Sequence, residues 1–461
     1  MDLAEIVADL RRGMLPANVY SDPELFEFEQ ERLFAKAWTF LAHESEIPQP
    51  GDYVVRNIVH DSFIVTRDEN GEIQALFNMC LHRGMQVCRS ERGNTSHFRC
   101  PYHAWTYKNS GALVGLPFHK DAYGGDEVLS RDQTSLLKAP RLETYNGLIF
   151  VSLADEGPSL SDYLGGMKFY LDFYLAQSAE GAEVHGPQRF RVKANWKIAA
   201  ENFVGDSYHT PHTHASIVDI GLFGAPKAAK RKEGAIYFAD VGGGTSYKIP
   251  TDGGFEANLE HVGYPAERAA VMKQAWSPEQ QALVADNGFM LSAAGILPNL
   301  AFVHNWPEVD RDGTVAPFIS MRQWQPVSAT ETEIISWFVV DKSGSEKFKA
   351  DCYKAYLMCF GSSGMFEQDD VENWTSITKM AGGQMAKRLA LNSRMGLTPD
   401  GDELNDSVPD WPGPGRAFTG FGEHNQRAWW GRYCDYLEDG ESPPAANGDS
   451  GAKSRIAAIG G

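Results

Sequence analysis

The chain has 461 residues, room for two or three domains with sizeable cores. Its formal net charge is −19, from 42 Lys and Arg against 61 Asp and Glu, which repels phosphate backbones and anionic bilayers. Neither nucleic acid nor a membrane surface is therefore an expected partner, and no run approaches the ~18 apolar residues of a spanning helix. The opening MDLAEIVADLRRGM starts acidic and lacks the basic-then-apolar order of a secretory signal. Six cysteines (Cys80, Cys88, Cys100, Cys352, Cys359 and Cys434) are too few for a disulfide scaffold. The expectation is a reducing cytoplasm, where Cys beside His points to metal.

Residues 1–37 read as helical, with Ser21-Asp22-Pro23-Glu24 as a helix start leading into LFEFEQERLFAKAW. From 38 to 155 the texture becomes β: DYVVRNIV (52–59), SFIVTRD (62–68), IQALFN (73–78) and GLIFVSL (147–153) are short strands, and Asp68-Glu69-Asn70-Gly71 is a hairpin turn. After Pro158 the pattern is mixed. SLSDYLGGMKFYLDFYLAQ reads as helix and RFRVKANWKIAAENFVGDSYH as strand passing into helix. The short basic run Lys227–Lys232 reads as a solvated loop, and the Gly-rich stretch from Asp240 to Gly254 as loop and strand. A strand follows at 332–341, then helices from Ser345 to Phe360 and from Asp369 onward. The outline is α+β: an all-β domain (38–155) inserted near the start of a larger domain (1–37 and 156–440), with 441–461 as a flexible tail rich in small residues.

The most specific signal is Cys80-Leu81-His82, then seventeen residues, then Cys100-Pro101-Tyr102-His103. Each loop offers one thiolate and one imidazole. A Rieske [2Fe–2S] centre takes two cysteines on one iron and two histidines on the other. A structural zinc site also takes Cys₂His₂, but zinc fingers usually present both cysteines before both histidines. Cys88 has no second cysteine in the other loop to bridge to, so a potential at the low end of the Rieske range, roughly −150 mV, is expected. Tyr102, Trp105, Arg83 and Gly84 are read as packing around the cluster.

A second constellation runs from Asn195 to His214 and holds Glu201, Asp206, His209, His212 and His214. Two histidines and one carboxylate on one face of an iron leave positions open for O₂. On a regular helix His209 and His212 share a face, while His209 and His214 are about 140° apart. Pro211 disturbs such a helix, so geometry alone leaves the choice open.

CxH–x17–CxxH followed by NWKxxxENxxGDxYHxxxxH resembles the α subunit of Rieske ring-hydroxylating oxygenases, over roughly residues 20 to 435. In texture it is nearest the naphthalene, biphenyl and polycyclic-hydrocarbon dioxygenases. The resemblance implies a Rieske domain beside a catalytic domain with a curved antiparallel sheet and helices. It implies His209, His214 and Asp370 as ligands of a mononuclear Fe(II), the last from the run Phe366-Glu367-Gln368-Asp369-Asp370. His212 then falls outside the motif, with a supporting or surface role, and Asp369 is read as lying near a helix N-cap. Asp206 becomes the aspartate that links one subunit's iron-site histidine (His209) to the neighbouring subunit's cluster histidine (His103). Asn202, Phe203, Phe360 and Phe366 become candidates for the substrate pocket. No Arg or Lys is among them, which favours an aromatic hydrocarbon over a carboxylate.

The implied reaction adds both atoms of O₂ to the ring to give a cis-dihydrodiol. Electrons come from NADH through a separate reductase and a ferredoxin; no nucleotide-binding fingerprint stands in this chain. A small β subunit in an α₃β₃ assembly is implied too. The same metals also serve Rieske monooxygenases and demethylases. A pure Rieske electron carrier needs only the β domain of ~100 residues and no second iron.

Overall fold

The structure is a computed structural model that describes residues 2–439 apart from 126–128, 130, 221–234, 250–252, 405–406 and 420. The basic run at 227–232 and the tail at 441–461 lie outside the described residues. Two compact units divide the chain: Phe34–Leu160, and the residues up to Leu33 together with those from Ser161 onward.

The first unit is built from short antiparallel strands. A four-stranded sheet runs in the order Ile73–Phe77, Asp61–Arg67, Asp52–Ile58, Arg92–Asn94. A three-stranded sheet follows as His97–Arg99, Thr106–Lys108, Leu113–Gly115, and another joins Arg141–Tyr145, Leu148–Ser152 and Thr39–His43. The hairpin turn expected at Asp68–Gly71 is present: Gly71 donates to the Asp68 carbonyl at 2.9 Å and takes φ +84°, open to glycine at no steric cost. The core of this unit includes Tyr53, Ile64, Leu76, Phe98, Trp105 and Tyr107 together with Cys80 and Cys100, so the cysteines are anchored in packed apolar surface.

The second unit centres on an eight-stranded antiparallel sheet. Its order is Ala182–Val192, Glu331–Asp341, Phe318–Ser328, Leu300–Asn305, Phe289–Ile296, Gly242–Lys248, Ala235–Ala239, Arg416–Thr419. Side chains alternate across such a sheet, so cross-strand partners share a face. On one face lie Arg322 opposite Ala301, and Ala301 opposite Gly295. The helix Trp196–Phe203 packs on that side: a Cβ on Gly295 would come within 2.5 Å of Val204 Cγ1. On the other face Phe302 stacks on Tyr174 at 4.9 Å, and buried His304 accepts from or donates to Tyr264 at 3.1 Å. Burial pushes His304 down to about 4.

The N-terminal segment is not one helix. Helix Leu3–Arg11, capped by Asp2, gives way to a strand, Met14–Pro16, which pairs with Ala390–Asn392. Gly13, at φ +73°, makes the break. Asp22 then caps the helix Pro23–Phe28, accepting from the Glu24 and Leu25 amides, with Pro23 in the first turn as expected. The next turn, Glu29–Phe34, is a π-helix. It presents the fully buried Glu29 to Lys197 Nζ (2.6 Å), Trp196 Nε1 (2.8 Å) and the Tyr433 hydroxyl (2.7 Å). A buried carboxylate is tolerable only with such partners.

Candidate metal centres

The two Cys/His loops of the first unit share one backbone design. Cys80 N donates to Met85 O at 2.9 Å and Gly84 N to Cys80 O at 2.9 Å. Cys100 N donates to Trp105 O at 2.8 Å and Ala104 N to Cys100 O at 3.0 Å. The fifth residue of each loop is left-handed, Gly84 at φ +72° and Ala104 at φ +59°. The loops bring the imidazoles of His82 and His103 to a centroid separation of 4.5 Å. Both Nδ1 atoms are buried and without a hydrogen-bond partner, which two metal-facing nitrogens fit and a plain packing role does not. Cys80 and Cys100 are buried beside them. The Tyr107 hydroxyl lies 3.2 Å from Cys80 Sγ and, facing a thiolate, donates to it.

Trp105 stacks on His82 at 5.1 Å with planes 9° apart. Tyr102, though 58% exposed, packs on His103 with ring centroids 3.7 Å apart; the packing role expected of Arg83 and Gly84 is corrected, because both are exposed on loop tips that face outward. Cys88 is buried in the same packed core as Cys80 and Cys100, its amide donating to Asn78 Oδ1 at 2.8 Å.

In the second unit the helix Trp196–Phe203 is capped by Asn195, whose side chain accepts from the Lys197 amide at 3.0 Å and donates to Ala329 O at 2.7 Å. The helix ends at its C-cap Val204, and Gly205 just beyond passes so close to Asn425 that a Cβ there would lie 2.6 Å from Asn425 Nδ2. Asn425 in turn donates to Val204 O at 2.6 Å. A short helix, Thr210–Thr213, then restarts with Pro211 in its first turn. Pro211 therefore opens a helix here, and the single turn between His209 and His214 removes the 140° difficulty of a continuous one.

His209 and His214 share one focus with Asp370, which a distant helix, Met365–Ala381, delivers. Ligand-type atoms of the three lie within 4.8 Å of one another. Asp370 Oδ1 is 3.5 Å from His209 Nε2 and 3.2 Å from His214 Nε2. The opposite nitrogens are engaged. His209 Nδ1 donates to the Asp206 carbonyl and lies 3.4 Å from Asp206 Oδ2; His214 Nδ1 faces Asp369 Oδ2 at 3.2 Å. Carbonyl and carboxylate oxygens require Nδ1–H, which leaves each Nε2 lone pair free toward a metal. That donor set of two imidazoles and a carboxylate fits Fe(II).

Asp369 is thus not at the helix start: the helix begins four residues earlier, after Gly364, and Asp369 sits in its second turn against His214. Burial alone would raise the carboxyl of Asp206, but hydrogen bonds from His209 and Asn202 outweigh it and hold Asp206 below the usual carboxylate range. Asn202 Nδ2 donates to Asp206 Oδ2 at 3.2 Å, so this side chain holds the carboxylate that faces His209. Exposed His212 packs edge-on to Tyr208 at 5.7 Å, away from the cluster of three.

From His214 a run of aromatic rings leads inward: Phe366 (4.7 Å from the imidazole), Phe360 (5.3 Å, stacked), then Phe203 (6.3 Å) and Trp324 (4.7 Å). Sequence reasoning missed the charge beside them. Arg322, fully buried, lies 5.3 Å from the Phe360 ring and 5.8 Å from Phe203, ion-paired to the equally buried Glu367. The available signal was an arginine at an inward position of the apolar strand FISMRQW.

Comparison with known proteins agrees with this geometry. Residues 37–140 match the Rieske [2Fe-2S] domain and residues 171–396 the ring-hydroxylating alpha subunit catalytic domain. The chain is 34% identical to the alpha subunit of an N,N-dimethyl phenylurea N-demethylase from Sphingobium sp. (strain YBL2), over 93% of this chain and 92% of that one. It is 34% identical to the biphenyl 2,3-dioxygenase alpha subunit of Rhodococcus jostii (strain RHA1), over 89% and 86%. A crystal structure of naphthalene 1,2-dioxygenase from Rhodococcus sp., bound to indole, superposes with TM-score 0.86 at 42% identity, over 94% of this chain and 97% of that one. Among the described residues no helix is long and apolar enough to cross a membrane. The chain belongs to the alpha subunits of the Rieske ring-hydroxylating oxygenases, enzymes that carry a [2Fe–2S] cluster and a mononuclear iron.

Proposed function

We propose that this chain is the terminal component that adds both atoms of O₂ to adjacent carbons of an aromatic hydrocarbon, giving a cis-dihydrodiol. Ring, O₂, NADH and a proton become dihydrodiol and NAD⁺, so two electrons enter per turnover. Cys80, His82, Cys100 and His103 would hold the cluster, and His209, His214 and Asp370 the iron. When bound, the cluster supplies electrons and the iron activates O₂.

The protein's own contribution is to orient and exclude. Asp206 and Asp369 set the proton of each imidazole on Nδ1. Asp206 also stands as the link to His103 of a neighbouring copy. Asn202 steadies Asp206, and Phe203, Phe360 and Phe366 give an apolar wall that keeps water from a bound ring. The observation that carries the hydrocarbon reading is this wall, with the guanidinium of Arg322 beside it ion-paired to Glu367. A pocket of that kind favours a neutral ring over a carboxylate.

A ferredoxin, an NADH-dependent reductase and a small β subunit in an α₃β₃ assembly complete the system, in a reducing cytoplasm. Turnover under ¹⁸O₂ with a two- to four-ring arene tests the proposal: a dihydrodiol carrying two labels is expected. A second reading, oxidative N-demethylation, is favoured by the likeness to the phenylurea N-demethylase subunit. It gives a dealkylated product and no dihydrodiol, and that outcome from a panel of both substrate types would replace the first reading.

A further inference from the structure

The helix that brings Asp370 to the histidines starts poorly. Gly364 is its N-cap and offers no side-chain hydrogen bond to the first amides. Its middle and far end are secured, by buried Trp374 and by the Asn195 amide donating to Thr378 Oγ1 at 2.8 Å. The first turn is held by Phe366, stacked on Phe360 at 5.3 Å, and by Glu367, which faces the sheet and pairs with Arg322 on the strand Phe318–Ser328. Side-chain exposures are 0% for Arg322 and 1% for Glu367. Glu367 is three residues before Asp370, hence on the neighbouring part of the same helix surface. The guanidinium is itself flanked by the Phe203 and Phe360 rings, which limits where it can move. Two apolar side chains of the same volume would fill this place at no loss of stability, since burying an ion pair costs about what it returns. The pair therefore calls for a role in placement.

We propose that Arg322 is a positioning residue for Asp370: its ion pair with Glu367 fixes the first turn of the helix Met365–Ala381 against the sheet and so aims Asp370 at His209 and His214. The inference rests on reading those three residues as the iron ligands.

A rival account is purely electrostatic, and the two predict opposite signs. Removing the Arg322 charge alone would strengthen Fe(II) binding through the field and weaken it through lost placement. The test strips the mononuclear iron from the full oxygenase with its cluster intact and titrates Fe(II) back. It compares wild type, Arg322→Met, Glu367→Met, the double variant and Arg322→Lys, with the cluster's visible spectrum and the melting temperature as fold controls. Placement predicts about ten-fold or more weaker Fe(II) binding in every variant, the typical effect of losing a support behind a metal ligand. The field account predicts tighter binding in Arg322→Met and no change in the double variant or in Arg322→Lys; either result overturns the proposal. A lone buried charge can unfold the single methionine variants, whereas the double variant and Arg322→Lys leave none and remain informative. Failure of the ligand reading looks different: wild type itself takes up no Fe(II), or His214→Ala takes it up as well as wild type.

Discussion

The two metal regions of this chain are made in different ways. The cluster region takes its four candidate ligands from two loops that begin at Cys80 and Cys100, each closed by the same pair of backbone hydrogen bonds. Its cysteines sit in an apolar core, and its histidines are partly exposed on outward-facing tips. The iron region takes its candidate ligands from one short segment and from a helix 156 residues further on, counting from His214 to Asp370, and both histidines lean on carboxylates. The first is a local device that needs little beyond its own turns. The second is assembled by tertiary structure, so its fidelity depends on residues that never touch the metal.

The sharpest way to probe this contrast is Asp206→Asn. Turnover should fall to background while iron content, cluster spectrum and melting temperature stay as in wild type; retained activity would remove Asp206 from the electron path. Asp369→Ala should cost about 10- to 100-fold in Fe(II) affinity without altering the cluster spectrum, measured by titration into iron-stripped enzyme. An equal effect on the cluster would erase the distinction between the regions.

Buried carboxyl groups near the iron segment also predict a pH effect. Desolvation, opposed by hydrogen bonds from Tyr20 and Trp430, leaves Glu201 pushed up to about 8 from 4.5. Between those two values the folded protein keeps a proton that the unfolded chain has released. This contribution to stability is therefore whole below about 4.5 and lost as pH rises through about 8. Glu201→Gln should flatten the decline in melting temperature between pH 5 and 8, measured by calorimetry.

Smaller effects belong to the cluster loops. Tyr107→Phe removes a hydroxyl donor from Cys80 Sγ and should lower the cluster potential, by ~40 mV for a hydrogen bond of ~1 kcal/mol, read by spectroelectrochemistry. Ala104→Gly should raise stability by about 1 kcal/mol in denaturant titrations, because Ala104 holds a left-handed conformation that its sister loop gives to Gly84.

How much could be read in advance follows the same division. Cys80, His82, Cys100 and His103 stand in a spacing that few structures other than a Rieske centre use, and the strands around them alternate plainly. Asp206, His209 and His214 were visible as a dense patch, but periodicity could not choose among the histidines. The choice came from a family resemblance, and the structure supplies its reason in the helix restarted at Pro211. Asp370 was visible only by resemblance, because its partners are far along the chain. Asp369 looked like a cap because Asp-Asp pairs usually are; the true start, an uncapped Gly364, has no local signature. Arg322 and Glu367 were out of reach for a similar reason. Each is an ordinary charged residue until the sheet and helix close on one another. Met14–Pro16 likewise reads as helix until Ala390–Asn392 is there to pair with it.

Glu29 carries a last consequence, for how the chain is made. Its carboxylate meets Lys197 168 residues later and Tyr433 404 residues later. At about 5–20 residues per second, the ribosome releases Tyr433 roughly 20–80 s after Glu29. Throughout that interval the partner set that buries the Glu29 carboxylate is incomplete, while the cluster unit, Phe34–Leu160, can already close on itself. Synthesis thus delivers the electron-carrying module early and completes the oxygen-handling one only when the C-terminal helix arrives. A chain cut short before Tyr433 is left with a finished Rieske unit attached to a catalytic body that cannot seal.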